Sequence, residues 1–419
     1  MLKVSRYIAI LLLSIVLLVS GCKSAEQVEV GQIKDDLKPT VILISLDGFR
    51  WDYFQKTDTP YLDYLSATGV KAKSLIPVFP SKTFPNQYTI ATGLFPENHG
   101  IISNKMYDPK LEAKFSLGDR SSVEDSRWWG GEPIWVTAEK QGQISATLFW
   151  PGSEAPVKGI SPTYWEKYDA SLSYNKRVEK ALNWLRLPVE KRPTFIALYF
   201  NEPDSKGHQY GPDSKEVENT IREVDNTVGL LLEALKQEKV LNKINIIVTS
   251  DHGMTSISKD RIIYLDDYID LEAVDIIDWS PVLALHPHNG NKEEIYNALV
   301  NANPHFKVYY KEDIPERFHF RNHHRITPII GIAEEGWSIS SHGLVNTLKS
   351  QFVRGNHGYD YQLPSMHGIF IASGPSFKKG LVVESFQNIQ IYNLMAKFLN
   401  LKPAPNDGNF DSVQAMLRD

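Results

Sequence analysis

INIIVTSDHG, residues 244–253, is a mainly apolar, mostly β-branched run that stops at Ser250-Asp251 and turns at Gly253. A strand that alternates apolar and polar residues has one wet face, whereas a continuous run of this length suits a strand covered on both sides, as in a parallel sheet. TVILISLDG (40–48) and TFIALYFNEPD (194–204) follow the same plan, and each ends in an aspartate. In SKEVENTIREVDNTVGLLLEALKQEKVL (214–241), residues Val217, Ile221, Val224, Val228, Leu231 and Leu235 recur at helical spacing. NKRVEKALNWLRLP (175–188) repeats that spacing and stops at Pro188. Strands alternating with amphipathic helices predict an α/β fold, with a mainly parallel central sheet flanked by helices.

Ligands of open parallel sheets sit outside the carboxyl ends of the strands. Asp47, Asp204 and Asp251 all fall at such ends and are expected to meet on one rim. A single aspartate there is equally a turn residue or helix cap. Histidines follow two of them, His208 in DSKGH and His252 in SDHGM, and His367 opens MHGIFIASGP. Carboxylate and imidazole donors together suit zinc or a similar divalent ion, and six such groups are enough for two sites. PSKTFPNQYT (80–89) reads as a stiff turn, with Pro80 and Pro85 bracketing Thr83.

With 419 residues, 42% hydrophobic and 23% charged, the chain is long enough for a large core, and its formal charge of −5 carries no field suited to long nucleic acid. MLKVSRYIAILLLSIVLLVSGC (1–22) has the layout of a secretory signal. Val19-Ser20-Gly21-Cys22 resembles a bacterial lipobox, and Cys22 is the chain's single cysteine, so it is expected to be the lipidated first residue of the mature protein. Residues 23–38 follow as a polar tether. The catalytic domain is expected to span 39–254 and 356–419, with 255–355 as an inserted smaller lobe. The expected location is extracytoplasmic, in the periplasm or at the cell surface, with the lipid holding the protein to a bacterial membrane.

The ordered set LISLDGFRWDY, PSKTFPNQYTIATGLFPENHGI, GGEPIWVTAEKQG, LFWPGSEA, YFNEPDSKGHQYGP, VTSDHGM, RGNHGYD and MHGIFIASGPSF resembles the nucleotide pyrophosphatase/phosphodiesterases of the alkaline phosphatase superfamily. The resemblance implies an alkaline phosphatase-like fold and two zinc ions per chain. It implies that Asp204, His208 and His367 hold one zinc, and that Asp47, Asp251 and His252, with Thr83, hold the other. Thr83 becomes the nucleophile, since metal coordination lowers the pKa of an otherwise poor hydroxyl. Asn104 becomes the amide that binds a nonbridging oxygen. Phe84, Leu117, Tyr168 and Tyr199 are placed around a small nucleotide or other phosphodiester, with Trp135 and Trp150 more readily assigned to the core. His357, Tyr359 and Asp360 are given supporting places, Asp360 as an acceptor for a ligand histidine. Hydrolysis through a phosphothreonine, releasing nucleoside monophosphates, is the expected reaction. A choline or glycerol phosphodiesterase, or a phosphomonoesterase, with the same metal site is the alternative. Lys82, beside the nucleophile, is the one adjacent cation a monoester would use.

Overall fold

The computed structural model describes residues 32–418 apart from 35, 289 and 348–352. The signal segment and Cys22 therefore lie outside the described residues. Ile33 is buried, its N–H bonds Glu238 Oε2 at 2.6 Å, and Leu37 packs on the same apolar cluster. The compact body thus begins at Ile33 rather than Pro39, because the end of the expected tether carries two apolar anchors.

An eight-stranded sheet runs in the order Leu381–Val383, Val70–Ala72, Phe370–Ser373, Ile244–Thr249, Thr40–Leu46, Phe195–Phe200, Ser145–Leu148, Tyr164–Glu166. All neighbours are parallel except those of Phe370–Ser373, which runs against both of its partners. The three strands read from their apolar runs lie side by side at the centre, and every residue in them is buried. Each fully buried Val, Leu, Ile or Phe there is worth about 1.5–3 kcal/mol of transfer free energy.

One face is covered by the helices Tyr174–Leu185 and Lys215–Gln237. The latter starts where Ser214 accepts the N–H of Val217, carries Glu216 and Glu218 in its first turn and Lys236 in its last, and buries all six residues of the predicted stripe. Such a cap contributes about 1 kcal/mol, and the end charges complement the helix dipole. On the other face lies Thr83–Thr92, a helix rather than the turn read from its prolines. Pro85 sits in the first turn, where a missing N–H costs nothing.

Residues 255–355 hold a separate four-stranded antiparallel sheet, ordered Val274–Asp278, Val282–Pro287, Ile329–Ala333, Phe306–Tyr310, around an apolar cluster of its own. No helix among the described residues is long and apolar enough to cross a membrane.

Candidate active site

Asp47 follows the Thr40–Leu46 strand, Asp251 follows Ile244–Thr249, and Asp204 opens the short helix Asp204–Tyr210 beyond Phe195–Phe200. The Asp204 N–H bonds the Asp47 carbonyl at 3.0 Å, which brings the first and third acids together. Gly48, at φ +67°, permits this approach, since a Cβ there would stand 2.9 Å from the Asp204 Cα. His208 lies one helical turn beyond Asp204, hence on the same face. Asp251 Oδ1 accepts the N–H groups of Gly48 and His252, both at 3.1 Å, so its other oxygen is turned towards the ring of His252.

Two clusters result, each with its ligand atoms within 4.8 Å of one another: Asp47, Asp251 and His252, and Asp204, His208 and His357. His357, not His367, stands with Asp204 and His208. Phe370–Ser373 enters the sheet antiparallel, which does bring the segment before it to the correct rim. The His367 ring, however, turns to Ser74 Oγ, 2.8 Å from its Nδ1. His357 arrives instead from the Gly355–Asn356 strand, which pairs with Thr255–Ser256. Asp360 is likewise drawn elsewhere, its Oδ1 accepting Arg317 Nη1 at 2.8 Å, so it orients no ligand histidine.

The donor set fits cations. Nδ1 of His208, His252 and His357 lies 2.8, 2.9 and 2.8 Å from the carbonyls of Gly355, Gly253 and Ser81. A carbonyl only accepts, so each Nδ1 carries a proton and Nε2 is the ring atom turned to the site. His252 Nε2 faces Asp251 Oδ2 at 3.2 Å and Asp47 Oδ1 at 3.4 Å. The Nε2 atoms of His208 and His357 stand 3.5 and 3.6 Å from Asp204 Oδ1. Those three carboxylate oxygens are buried without a hydrogen-bond partner. Unpartnered carboxylate oxygens gathered with imidazole nitrogens in a buried site call for positive charge. Burial, and then the neighbouring Asp251 and Asp204 carboxylates, push the Asp47 carboxyl well above its usual range. Burial, and then His252 and His208, hold His357 well below the ordinary imidazole range.

Thr83 opens its helix at this centre, with Oγ1 3.2 Å from His252 Nε2. Asn104 Oδ1 accepts the Phe84 N–H at 2.9 Å, which leaves the amide NH2 for the cavity. That cavity, of 310 Å³, is lined by Thr83, Phe84, Asn104, Leu117, Tyr168 and Tyr199, all singled out from sequence. Tyr199 also donates its hydroxyl to Asp47 Oδ2. Trp135 and Trp150 are fully buried core residues.

The cavity is also lined by Arg120 and Glu154, with Arg120 Nη1 3.1 Å from Glu154 Oε1, and by Phe149, whose ring meets Tyr168 at 5.3 Å; no sequence signal had assigned these three to the site. Lys82 points away from the cavity to Asp278 Oδ2, 2.5 Å distant.

Residues 41–360 match the model of the family described as type I phosphodiesterase/nucleotide pyrophosphatase. The human protein named ectonucleotide pyrophosphatase/phosphodiesterase family member 5 is 42% identical over 90% of this chain and 78% of its own. The Mus musculus protein named bis(5'-adenosyl)-triphosphatase enpp4 is 42% identical over 93% of this chain and 84% of its own. Among solved structures, murine ectonucleotide pyrophosphatase/phosphodiesterase 5, in an inactive form complexed with AMP, superposes with a TM-score of 0.87 at 42% identity, covering 91% of this chain and all of that one.

Proposed function

The chain is a member of the type I phosphodiesterase/nucleotide pyrophosphatase family, a hydrolase of phosphodiester and pyrophosphate bonds, and on that premise we propose how its residues carry out the reaction. Asp204, His208 and His357 would hold one zinc ion, and Asp47, Asp251 and His252, with the Thr83 hydroxyl, a second. Bound there, the ions would supply the positive charge that lowers the Thr83 pKa and offsets charge on the attacked and departing oxygens.

The substrate's base lies against Phe84, Leu117 and Tyr168, a surface tolerant of base identity because every base has a π-face. Its phosphoryl group then meets Thr83 Oγ1, while the Asn104 amide, with the Thr83 N–H, binds a nonbridging oxygen. Thr83 Oγ1 forms a bond to phosphorus and the ester or anhydride oxygen leaves with the hydroxyl proton, giving a phosphothreonine that still carries the nucleoside, and an alcohol or phosphate. Water then cleaves the O–P bond, releasing the nucleoside monophosphate and restoring the hydroxyl. The complex of the murine relative with AMP supports a nucleotide in this cavity.

The observation that carries the diester reading is the direction of Lys82. A monoester dianion gains from side-chain cations on its nonbridging oxygens. Here Lys82 is committed to Asp278 and Arg120 to Glu154. Choline or glycerol diesters remain the second reading, but they would leave the aromatic surface unused. Rates on a thymidine phosphodiester, glycerophosphocholine and an aryl monoester separate the three. Fastest turnover is expected on the thymidine ester, and fastest turnover on the monoester would overturn the reading.

The human and murine family-member-5 relatives are named as ectonucleotide enzymes, in keeping with a catalytic body outside the cytoplasm. We further read Cys22 as the lipidated anchor, on the strength of Val19-Ser20-Gly21-Cys22. Intact-mass measurement of the membrane fraction tests this, and an unmodified Cys22 there would refute it.

A further inference from the structure

We infer that Asp278, in the lobe of residues 255–355, is a positioning residue that aligns the nucleophile with the phosphoryl-binding amide; the inference rests on the roles of Thr83 and Asn104 proposed above. Lys82 immediately precedes Thr83, and Ser103 immediately precedes Asn104. Both side chains bond the same carboxylate oxygen. Lys82 Nζ lies 2.5 Å, and Ser103 Oγ 2.6 Å, from Asp278 Oδ2, and the two donors stand 3.3 Å from each other. A change in the position of Oδ2 is therefore transmitted to both reacting groups.

The surroundings hold this oxygen in place. Asp278 Oδ1 accepts the N–H of Trp279 at 3.0 Å, which fixes the plane of the carboxylate. The pairing of its strand with Val282–Pro287 slips by one residue between Ile276 and Asp278. A bulge of this kind re-aims the side chain that follows it, and here that side chain is Asp278. Lys82 is 6% and Ser103 8% exposed, so water competes little for either bond.

The loop that carries His357 closes the remaining side. Gly358, at φ +106°, lies so close that a Cβ would stand 3.1 Å from Lys82 Cε. Ser81 Oγ donates to the Tyr359 carbonyl at 2.6 Å, while the Ser81 carbonyl accepts His357 Nδ1 at 2.8 Å. The stem of Lys82 is thus trapped between the nucleophile helix, the His357 loop and the lobe. Its ammonium has a geometric task, which accounts for a lysine that sits beside the nucleophile without facing the substrate. Misplacement of reacting groups by about 1 Å costs about 100-fold in rate.

Removing one charge of a buried pair strands the other, so Asp278→Ala could fail to fold. Three milder changes limit that: Ser103→Ala leaves the ion pair intact, Asp278→Asn keeps an oxygen acceptor for the ammonium, and the paired replacement Lys82→Met with Asp278→Leu removes both charges while keeping the space filled and cutting the tie to Ser103. For each, kcat and KM on a thymidine phosphodiester are measured with bound metal and melting temperature. We expect kcat to fall about 3- to 10-fold in Ser103→Ala and about 30- to 100-fold in the paired variant, with Asp278→Asn between them. KM is expected to stay within about threefold of wild type, because the aromatic surface is untouched, and metal content is expected to be unchanged. Values of kcat within twofold of wild type in all three variants would overturn the inference. So would losses of kcat matched by equal losses of metal. An active wild type with unaffected variants removes only the role of Asp278; a wild type without diester turnover removes the roles of Thr83 and Asn104, and this inference with them.

Discussion

Thr83 Oγ1 stands 3.2 Å from His252 Nε2, the nitrogen turned to the site by the bond of Nδ1 to the Gly253 carbonyl. The hydroxyl therefore shares a focus with a metal-type donor while opening a helix whose Phe84 N–H is held by Asn104 Oδ1 and whose Pro85 has none to offer. Thr83→Ala is expected to lower kcat on a thymidine diester by at least about 1,000-fold, as loss of a nucleophile does. Metal analysis is expected to find both ions retained, since Asp47, Asp251 and His252 remain. Residual activity near wild type would remove Thr83 from the reaction.

Tyr168 offers its ring to the cavity at 39% exposure, backed by Phe149 and, with centroids 6.5 Å apart, by Tyr199. Stacking a base on such a ring is worth about 1–3 kcal/mol. Tyr168→Ala is accordingly expected to reduce kcat/KM for a nucleotide diester by about 5- to 150-fold. A methyl aryl phosphodiester, which has no base, should keep its kcat/KM within about twofold. Equal losses on both substrates would place Tyr168 outside base recognition.

Tyr199 is buried and gives its hydroxyl proton to Asp47 Oδ2. The bond orients a carboxylate whose other oxygen has no partner. Tyr199→Phe is expected to weaken binding of one of the two metals by about 10- to 100-fold, as loss of an outer partner of a ligand does. Chelator competition measures it, and an unchanged affinity would contradict the orienting role.

His99 ties stability to pH. The Ile101 N–H donates to its Nδ1 at 3.1 Å, its Nε2 lies 3.0 Å from Thr89 Oγ1, and the Thr89 hydroxyl donates to the Leu94 carbonyl at 2.9 Å. Both ring nitrogens are therefore used in the neutral form, and a proton on Nδ1 would confront the Ile101 N–H. Burial, and then the nearby His323, lower the pKa to about 3. The unfolded chain takes up this proton near pH 6.5. The neutral ring's contribution is thus complete above pH 6.5 and is lost as pH falls towards 3, reaching about 2 kcal/mol lost at pH 5. In urea titrations at pH 7.5 and 5.0, His99→Gln should lose about 2 kcal/mol less than wild type over that interval. Equal losses would contradict the assignment.

The three central strands and their aspartates were legible because a both-sided buried strand imposes a mainly apolar run, and the rim of a parallel sheet gives the acids that follow it a common location. His208 stood out as the histidine of DSKGH, close behind Asp204 in the sequence. His357 was not legible as a companion of Asp204 and His208. It depends on the pairing of Gly355–Asn356 with Thr255–Ser256, a contact between distant segments that leaves no period in either. His367 misled for a related reason: the antiparallel entry of Phe370–Ser373 carries it to the rim, but its ring direction is decided by Ser74, far away in sequence. The prolines of PSKTFPNQYT concealed a helix start, because Pro85 occupies a first-turn position where no N–H is needed. Asp278 gave no signal at all, since its task depends on a bulge and on two partners contributed by other segments.

The most direct measurement of the proposed centre is metal content and turnover of His357→Ala beside His367→Ala. His357 is expected to be a ligand, so its replacement should remove about one equivalent of zinc and lower kcat/KM for a thymidine diester by at least about 100-fold. His367, turned towards Ser74, should be replaceable with both equivalents retained and kcat/KM within about fivefold of wild type. Loss of zinc from the His367 variant with full retention in the His357 variant would contradict the arrangement of the site.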